Sequence, residues 1–387
     1  MRHLINISLL TALLCLFSCG KSENIPIVTW AGIPSQASEE AFAALKECGI
    51  DGHLGLYPGL PQAEVALDAA QKAGLWLIPG FPGVKDSTQI AVQALKTHPA
   101  LKAWHLKDEP EIWDFPWIDS LARKVDSLDG RHPCYVNLYP NWAWGVENYA
   151  ETIDRFAEEV DVPFYSFDQY PITENEDGSI SIRPDWYRNL EEFSAMARRQ
   201  GKPFWAFALT KSHHLGPPSP EAFYPVPTAG QLRLQVFSNL LYGAQGIQYF
   251  TGGGIFDCKR MEKTEIFNTV KQVNSQIKAY EEVFAGASVV NVVHTGAHIP
   301  NGTTEMTQMP HKSIDMLEIS GEGAVVSTLR KGKHQYLAVQ NRDCCNPALL
   351  DIRFNTKVKL LTQTGKADFN NRTIRIEDGD IALFILE

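Results

Sequence analysis

Between Ile27 and Gly286 one unit recurs: a short apolar or β-branched run, a polar turn, then an amphipathic helical stretch. Such alternation specifies parallel strands joined by crossover helices. Eight runs qualify: Ile27–Gly32, Gly52–Tyr57, Leu75–Pro79, Leu101–Glu109, Cys134–Tyr139, Val162–Asp168, Pro203–Leu209 and Gly246–Thr251. Helical stretches between them stop at glycine, the residue that takes a left-handed C-cap at no steric cost: Ser38–Lys46 before Gly49, Gln62–Lys72 before Gly74, Pro184–Gln200 before Gly201, Gln231–Tyr242 before Gly243 and Thr264–Phe284 before Gly286. The first opens with a Ser cap and an acidic first turn, which suits the positive end of the helix dipole. Eight such units predict an α/β fold, a closed (β/α)8 TIM barrel. A doubly wound open sheet would want a Gly-rich phosphate loop after its first strand, and the chain has none there.

After Gly286 the pattern changes to short strands with turns between them: Val289–Val293, Gly323–Leu329, Gln335–Gln340, Leu349–Phe354, Val358–Leu361 and Ile381–Leu386. This predicts a small all-β sandwich. The expected organisation is a signal peptide over 1–18, a linker over 19–26, the barrel over 27–286 and the β-sandwich over 287–387. No 20–50-residue period repeats within either part.

At the start of the chain, Arg2 and His3 precede Leu9–Phe17, an apolar run too short to span a bilayer. Leu16-Phe17-Ser18-Cys19 resembles the bacterial lipobox, which implies lipid on Cys19. The expected location is the bacterial cell envelope, at the outer membrane or a periplasmic face, with the membrane met only through that lipid. The chain has 35 Lys+Arg against 45 Asp+Glu, a net charge of −10, without cationic runs. Nucleic acid is therefore not an expected partner, since phosphate binding needs clustered cations. Beyond Cys15 and Cys19, Cys48, Cys134, Cys258, Cys344 and Cys345 remain, without metal-ligand spacing. They allow one disulfide but no disulfide framework. Zinc-hydrolase, P-loop and nucleophile-elbow motifs are lacking, so neither a metal nor a cofactor is expected.

In a barrel of this kind the chemistry sits at the carboxyl ends of the strands. Strand four ends in Lys107-Asp108-Glu109-Pro110 and strand six in Asp168-Gln169-Tyr170-Pro171. Period-two alternation turns Trp104 and Leu106 toward the helices, leaving His105, Lys107 and Glu109 inward. Likewise Tyr135, Asn137 and Tyr139 face inward on strand five, and Ser166, Asp168 and Tyr170 on strand six. Parity weakens past the last paired residue, so Asp108 can also enter the pocket. Carboxylates from two strands within a ring of Trp30, Tyr57, Asn137, Tyr139 and Tyr170 suit glycoside hydrolysis. One protonated carboxyl protonates the leaving oxygen, and a second carboxylate supports or attacks an oxocarbenium-like centre. Lys107, His213 and Phe250 complete the expected substrate contacts, and the expected ligand is an oligo- or polysaccharide.

Trp104-His105-Leu106-Lys107-Asp108-Glu109-Pro110 resembles the fourth-strand signature of the clan-A retaining barrel glycosidases, the cellulase and β-galactosidase-like superfamily. There an Asn-Glu-Pro tripeptide carries the acid/base Glu. The resemblance implies that Glu109 is the general acid/base; Asp108 stands where the family has Asn. Those enzymes carry a nucleophile Glu at the end of strand seven, where this chain reads Phe204-Trp205-Ala206-Phe207-Ala208-Leu209-Thr210; Glu221 lies further along among prolines. The second carboxylate is then Asp168, or Asp108. The latter would be similar to the family 20 hexosaminidases, whose Asp-Glu pair implies an Asp that orients a substrate acetamido group. Two other readings stay open. One is a non-catalytic carbohydrate-binding lipoprotein on a degenerate glycosidase barrel; the other is a barrel enzyme of different chemistry, such as a lyase or esterase.

Overall fold

The computed structural model describes residues 24–214 and 223–386. The expected signal peptide, Cys19 and Glu221 lie outside the described residues. Eight parallel strands follow the order of the sequence: β1 (Ile27–Trp30), β2 (Gly52–Leu56), β3 (Trp76–Gly80), β4 (Trp104–Asp108), β5 (Cys134–Asn137), β6 (Tyr165–Phe167), β7 (Phe204–Leu209) and β8 (Ile247–Phe250). Six of them form one curled sheet in the order β3-β2-β1-β8-β7-β6, a half-barrel, while β4 and β5 pair separately. Single parallel bridges, Leu77 to Leu101 and Leu138 to Phe167, link that pair to the two edges of the large sheet.

The curl follows from burial on both faces, which central parallel strands tolerate because helices cover the outside. Val28, Trp30, Leu54, Ile78, Ala103, Tyr135, Phe164, Trp205 and Phe207 form an inner cluster, separate from the outer core under the helices. The helices start and stop close to the expected bounds, but the expected Ser cap is corrected: Ser38 is the first residue of its helix, and its Oγ donates back to Ser35 O at 2.7 Å and caps no N–H. Leu60–Ala73 and Trp186–Gln200 end on Gly74 and Gly201, both left-handed at φ 69° and 64°. Ala229–Leu241 opens with a capping box in which Thr228 and Gln231 satisfy each other's backbone N–H. Phe115–Leu128 and Tyr149–Glu159 cover β4 to β6.

The chain beyond Gly286 forms nine antiparallel strands: β9 (Ser288–Thr295), β10 (Ile314–Ile319), β11 (Ala324–Lys331), β12 (His334–Asn341), β13 (Ala348–Phe354), β14 (Val358–Thr362), β15 (Gly365–Phe369), β16 (Arg372–Ile376) and β17 (Ile381–Leu386). A six-stranded sheet, β9-β11-β12-β17-β14-β15, faces a three-stranded one, β10-β13-β16. Val326, Leu337, Val339 and Phe384 from the first meet Leu317, Leu350, Ile352 and Ile376 from the second. The other face of the large sheet, with Val325, Leu329, Ala338 and Leu383, joins the core under the helices. Buried polar groups at this seam are paired: Ser238 Oγ donates to Gln340 Oε1 at 2.7 Å, and Ser327 Oγ to Leu241 O at 2.8 Å.

Candidate active site

The site is shaped by a defect in β4. Its pairing with β5 runs His105–Tyr135 and then jumps to Lys107–Val136 and Asp108–Asn137. A bulge of this kind reverses the alternation of side chains beyond it. Trp104 and Leu106 pack outward as expected, and His105 lies inward beside Trp30 and Tyr135. Past the bulge, Asp108 turns inward. The expectation that Lys107 faces the axis is corrected: it pairs opposite outward-facing Val136, and its ammonium lies 4.0 Å from Asp114 at the entrance of the next helix. Glu109 then adopts φ 47°, in the left-handed region, while its N–H still bonds Asn137 O at 2.8 Å. A non-glycine residue held there is costly, by about 1 kcal/mol or more, and such strain gathers at functional sites. It breaks the strand geometry that would otherwise aim adjacent side chains apart, so Asp108 and Glu109 both act on Asp168.

Asn137 is the hub. Its Nδ2 donates to Asp168 Oδ1 at 2.8 Å and to Asp108 Oδ1 at 3.2 Å. The amide is held in that orientation from behind. Ser166 Oγ donates to Asn137 Oδ1 at 2.8 Å, Gln248 Nε2 donates to Ser166 Oγ at 2.7 Å, and Tyr135 OH donates to Gln248 Oε1 at 2.8 Å. With its oxygen engaged by a hydroxyl, Asn137 presents its NH2 to the two carboxylates. Gln248 was not among the expected site residues. Its signal was a buried amide at an inward position of an otherwise apolar strand.

Three carboxyls in one partly desolvated pocket cannot all ionise freely. Burial first, then the charges of Asp108 and Glu111, push Glu109 up to about 7, with Lys107 opposing. Burial raises Asp108 to about 6, against the Asn137 hydrogen bond and Lys107. Asp168 is raised well above the usual carboxylate range by burial and by Glu109 and Asp108, although Asn137 and the Tyr170 hydroxyl both stabilise its charge. The Glu109 charge therefore weighs against ionising Asp168.

The remaining expected contacts divide. Tyr170 and Phe250 lie over the inner cluster with ring centroids 5.4 Å apart. His213 stacks on Tyr224 at 4.8 Å and touches Tyr170 and Phe250. Tyr139 is half-buried near Glu109 and Glu111; burial first, then their charges, push its hydroxyl up. Two residues stand elsewhere. Trp30 is only 5% exposed, packed inside the half-barrel against His105, Tyr135 and Phe207. Tyr57 belongs to the outer core beneath the helices, in the space that Gly55 leaves: a Cβ at Gly55 would stand 2.2 Å from its hydroxyl. Leu54 points inward, so period-two alternation already turns Tyr57 outward. Tyr224 and Arg183 come from connecting segments that carry no periodic signal.

A cavity of about 920 Å³ lies at the opposite end of the strands, where Pro26, Trp76, Lys102 and Trp205 meet Val289. Its one carboxylate, Asp51, is already paired with Lys278 at 3.1 Å. Three acids instead converge at the carboxyl ends of the strands. His294, four residues before His298, is a core histidine bonded to Tyr242 OH at 2.8 Å. All five described cysteines are free thiols.

No known protein family matches the chain, and no curated protein matches its sequence. Solved structures do resemble it. One is the catalytic domain of a β-amylase from Paenibacillus polymyxa, with 9% identity, covering 65% of this chain and 98% of that one, at a TM-score of 0.45. Another is an endoglucanase from Pseudomonas stutzeri, with 13% identity, 60% and 84% coverage, and a TM-score of 0.42. A third is an α-fucosidase from Thermotoga maritima, with 10% identity, 90% and 80% coverage, and a TM-score of 0.45.

Proposed function

We propose that this chain is an exported glycoside hydrolase acting on oligo- or polysaccharide. In this reading residues 27–286 close as a (β/α)8 barrel, residues 287–387 form a separate β-domain, and lipid on Cys19 holds the protein to a bacterial envelope membrane. The observation that carries the reading is the convergence of Asp108 and Asp168 on one Asn137 amide, with the Glu109 charge felt by Asp168 and Glu109 itself pushed to about 7. A general acid works best with a pKa near the working pH. Glu109 protonates the leaving glycosidic oxygen. While it holds the proton, its repulsion of Asp168 is removed; burial, the larger cause, still holds the Asp168 carboxyl above its ordinary value, and Asn137 and Tyr170 are the groups that support its charge against that burial. Asp168 then serves as the partner carboxylate at the anomeric centre, and Asp108 orients the substituent at C2.

A second reading has its own support. The bulge and the left-handed Glu109 bring Asp108 to the same pocket, and at about 6 it stays mostly ionised at neutral pH. Asp108 would then orient a 2-acetamido group that itself attacks.

The test is turnover of a panel of aryl glycosides and oligosaccharides, followed as released nitrophenol or reducing sugar. Glu109 must be protonated to act, so kcat/KM is expected to fall as pH rises through about 7. Saccharide binding without turnover of any glycoside would instead make the protein a binding lipoprotein.

A further inference from the structure

Of the nine tryptophans, two are exposed, Trp113 at 77% and Trp142 at 38%. Large aromatic side chains are costly to leave in water, and both follow strands that end at the acids, Trp113 after β4 and Trp142 after β5. Trp113 lies four residues past Glu109, in the turn Ile112–Asp114, which is fixed by reciprocal hydrogen bonds between Glu111 and Asp114. Trp142 follows β5, three residues past Tyr139. Its backbone is pinned: Asn141 N donates to Asn189 Oδ1 at 2.5 Å, and Asn141 Nδ2 to Asp185 O at 3.1 Å.

The Trp142 ring is also held. The Arg183 guanidinium lies 4.5 Å over it, and two hydrogen bonds to Asp185, at 3.2 and 3.0 Å, fix Arg183. Contacts then lead back to the acids without a break. Arg183 Nη1 donates to Tyr224 OH at 3.3 Å, the Tyr224 and Tyr170 rings meet edge to face at 6.2 Å, and Tyr170 bonds Asp168. One ring face is occupied by a cation that locks the side chain, and the exposed remainder faces water next to the site. A rigid aromatic face costs little entropy to use and suits the apolar C–H face of a pyranose.

We propose that Trp142 and Trp113 form a saccharide-binding rim on the β4–β5 side of the site, supplying subsites for sugar units beyond the one that is cleaved. The inference rests on the glycosidase reading and adds that the site takes chains in preference to single sugars.

The test uses the Glu109→Gln protein, so that ligand survives, titrated by calorimetry with cello-, xylo- and laminari-oligosaccharides of two to six units. Affinity is expected to grow with chain length. Trp142→Ala is expected to weaken the longest ligand about tenfold and to flatten the dependence on length, and Trp113→Ala to remove the gain from the last units. Trp142→Phe, which keeps an aromatic face, is expected to retain most of the dependence. If both alanine variants bind the six-unit chain as tightly as their parent, the rim is not a saccharide subsite, while the glycosidase reading stands. If the parent binds nothing in the panel, the rim proposal falls, while the glycosidase reading stands or falls on the turnover of aryl glycosides.

Discussion

Glu109→Gln is expected to lower kcat by about 10²–10⁴-fold on glycosides with poor leaving groups, the usual contribution of a general acid. Substrates whose leaving group departs without a proton should be affected least. The variant is also expected to be more stable than the parent above neutral pH. Glu109 in the folded protein titrates at about 7, above its ordinary 4.5, so the folded chain binds the proton more tightly than the unfolded one. That contribution is fully present below pH 4.5 and is lost as pH rises through about 7. An uncharged amide avoids the loss, so thermal denaturation at pH 8 should show a higher midpoint for Glu109→Gln. The difference should close toward pH 4.5. Near-parental kcat on a poor leaving group would remove Glu109 from the role of acid.

Asp168→Asn carries the second large effect. If Asp168 is the partner carboxylate, the variant should lose at least about 10²-fold in kcat on every glycoside the protein accepts, whatever stands at C2. Asp108→Asn should cost less, and its cost should depend on the C2 substituent. Matched substrates with and without a 2-acetamido group separate the two assignments. A nearly silent Asp168→Asn, together with an Asp108→Asn that fails only on the acetamido substrate, would reverse the roles and make catalysis substrate-assisted. Both variants share the Asn137 hydrogen bonds, so folding should be checked by their denaturation midpoints.

Much of this arrangement is legible in the sequence, for physical reasons that differ from element to element. The strand–turn–helix alternation reports the parallel half-barrel because each helix needs an apolar stripe and each strand an apolar run. Glycines at 74 and 201 mark helix ends because the left-handed conformation there is open to them without strain. The pocket was harder. Strand parity gives Asn137, Ser166 and the inward Tyr135, but it fails two residues past His105, where the bulge turns Lys107 out and Asp108 in. Nothing in the local composition announces a bulge. Trp30 reads as an aromatic wall from its strand end, yet three neighbouring rings enclose it. In the β-module, β10, β15 and β16 are absent from the sequence reading. Arg372-Thr373-Ile374-Arg375-Ile376 mixes charged with apolar residues, Gly365–Phe369 leaves its first four residues exposed, and Asp315 and Glu318 interrupt Ile314–Ile319, so no apolar run marks any of them. Arg183 and Tyr224 reach the site from connections between elements, where periodicity says nothing.

The central claim is that a glycosidic bond sits between the carboxyls at the ends of β4 and β6. A crystal structure of the Glu109→Gln protein soaked with an oligosaccharide tests it most directly. The account predicts a glycosidic oxygen within about 2.6–3.2 Å of the residue-109 side chain, with the anomeric carbon on the Asp168 side of Asn137. Saccharide bound only at the opposite end of the strands, in the cavity lined by Trp76, Lys102 and Trp205, would contradict it.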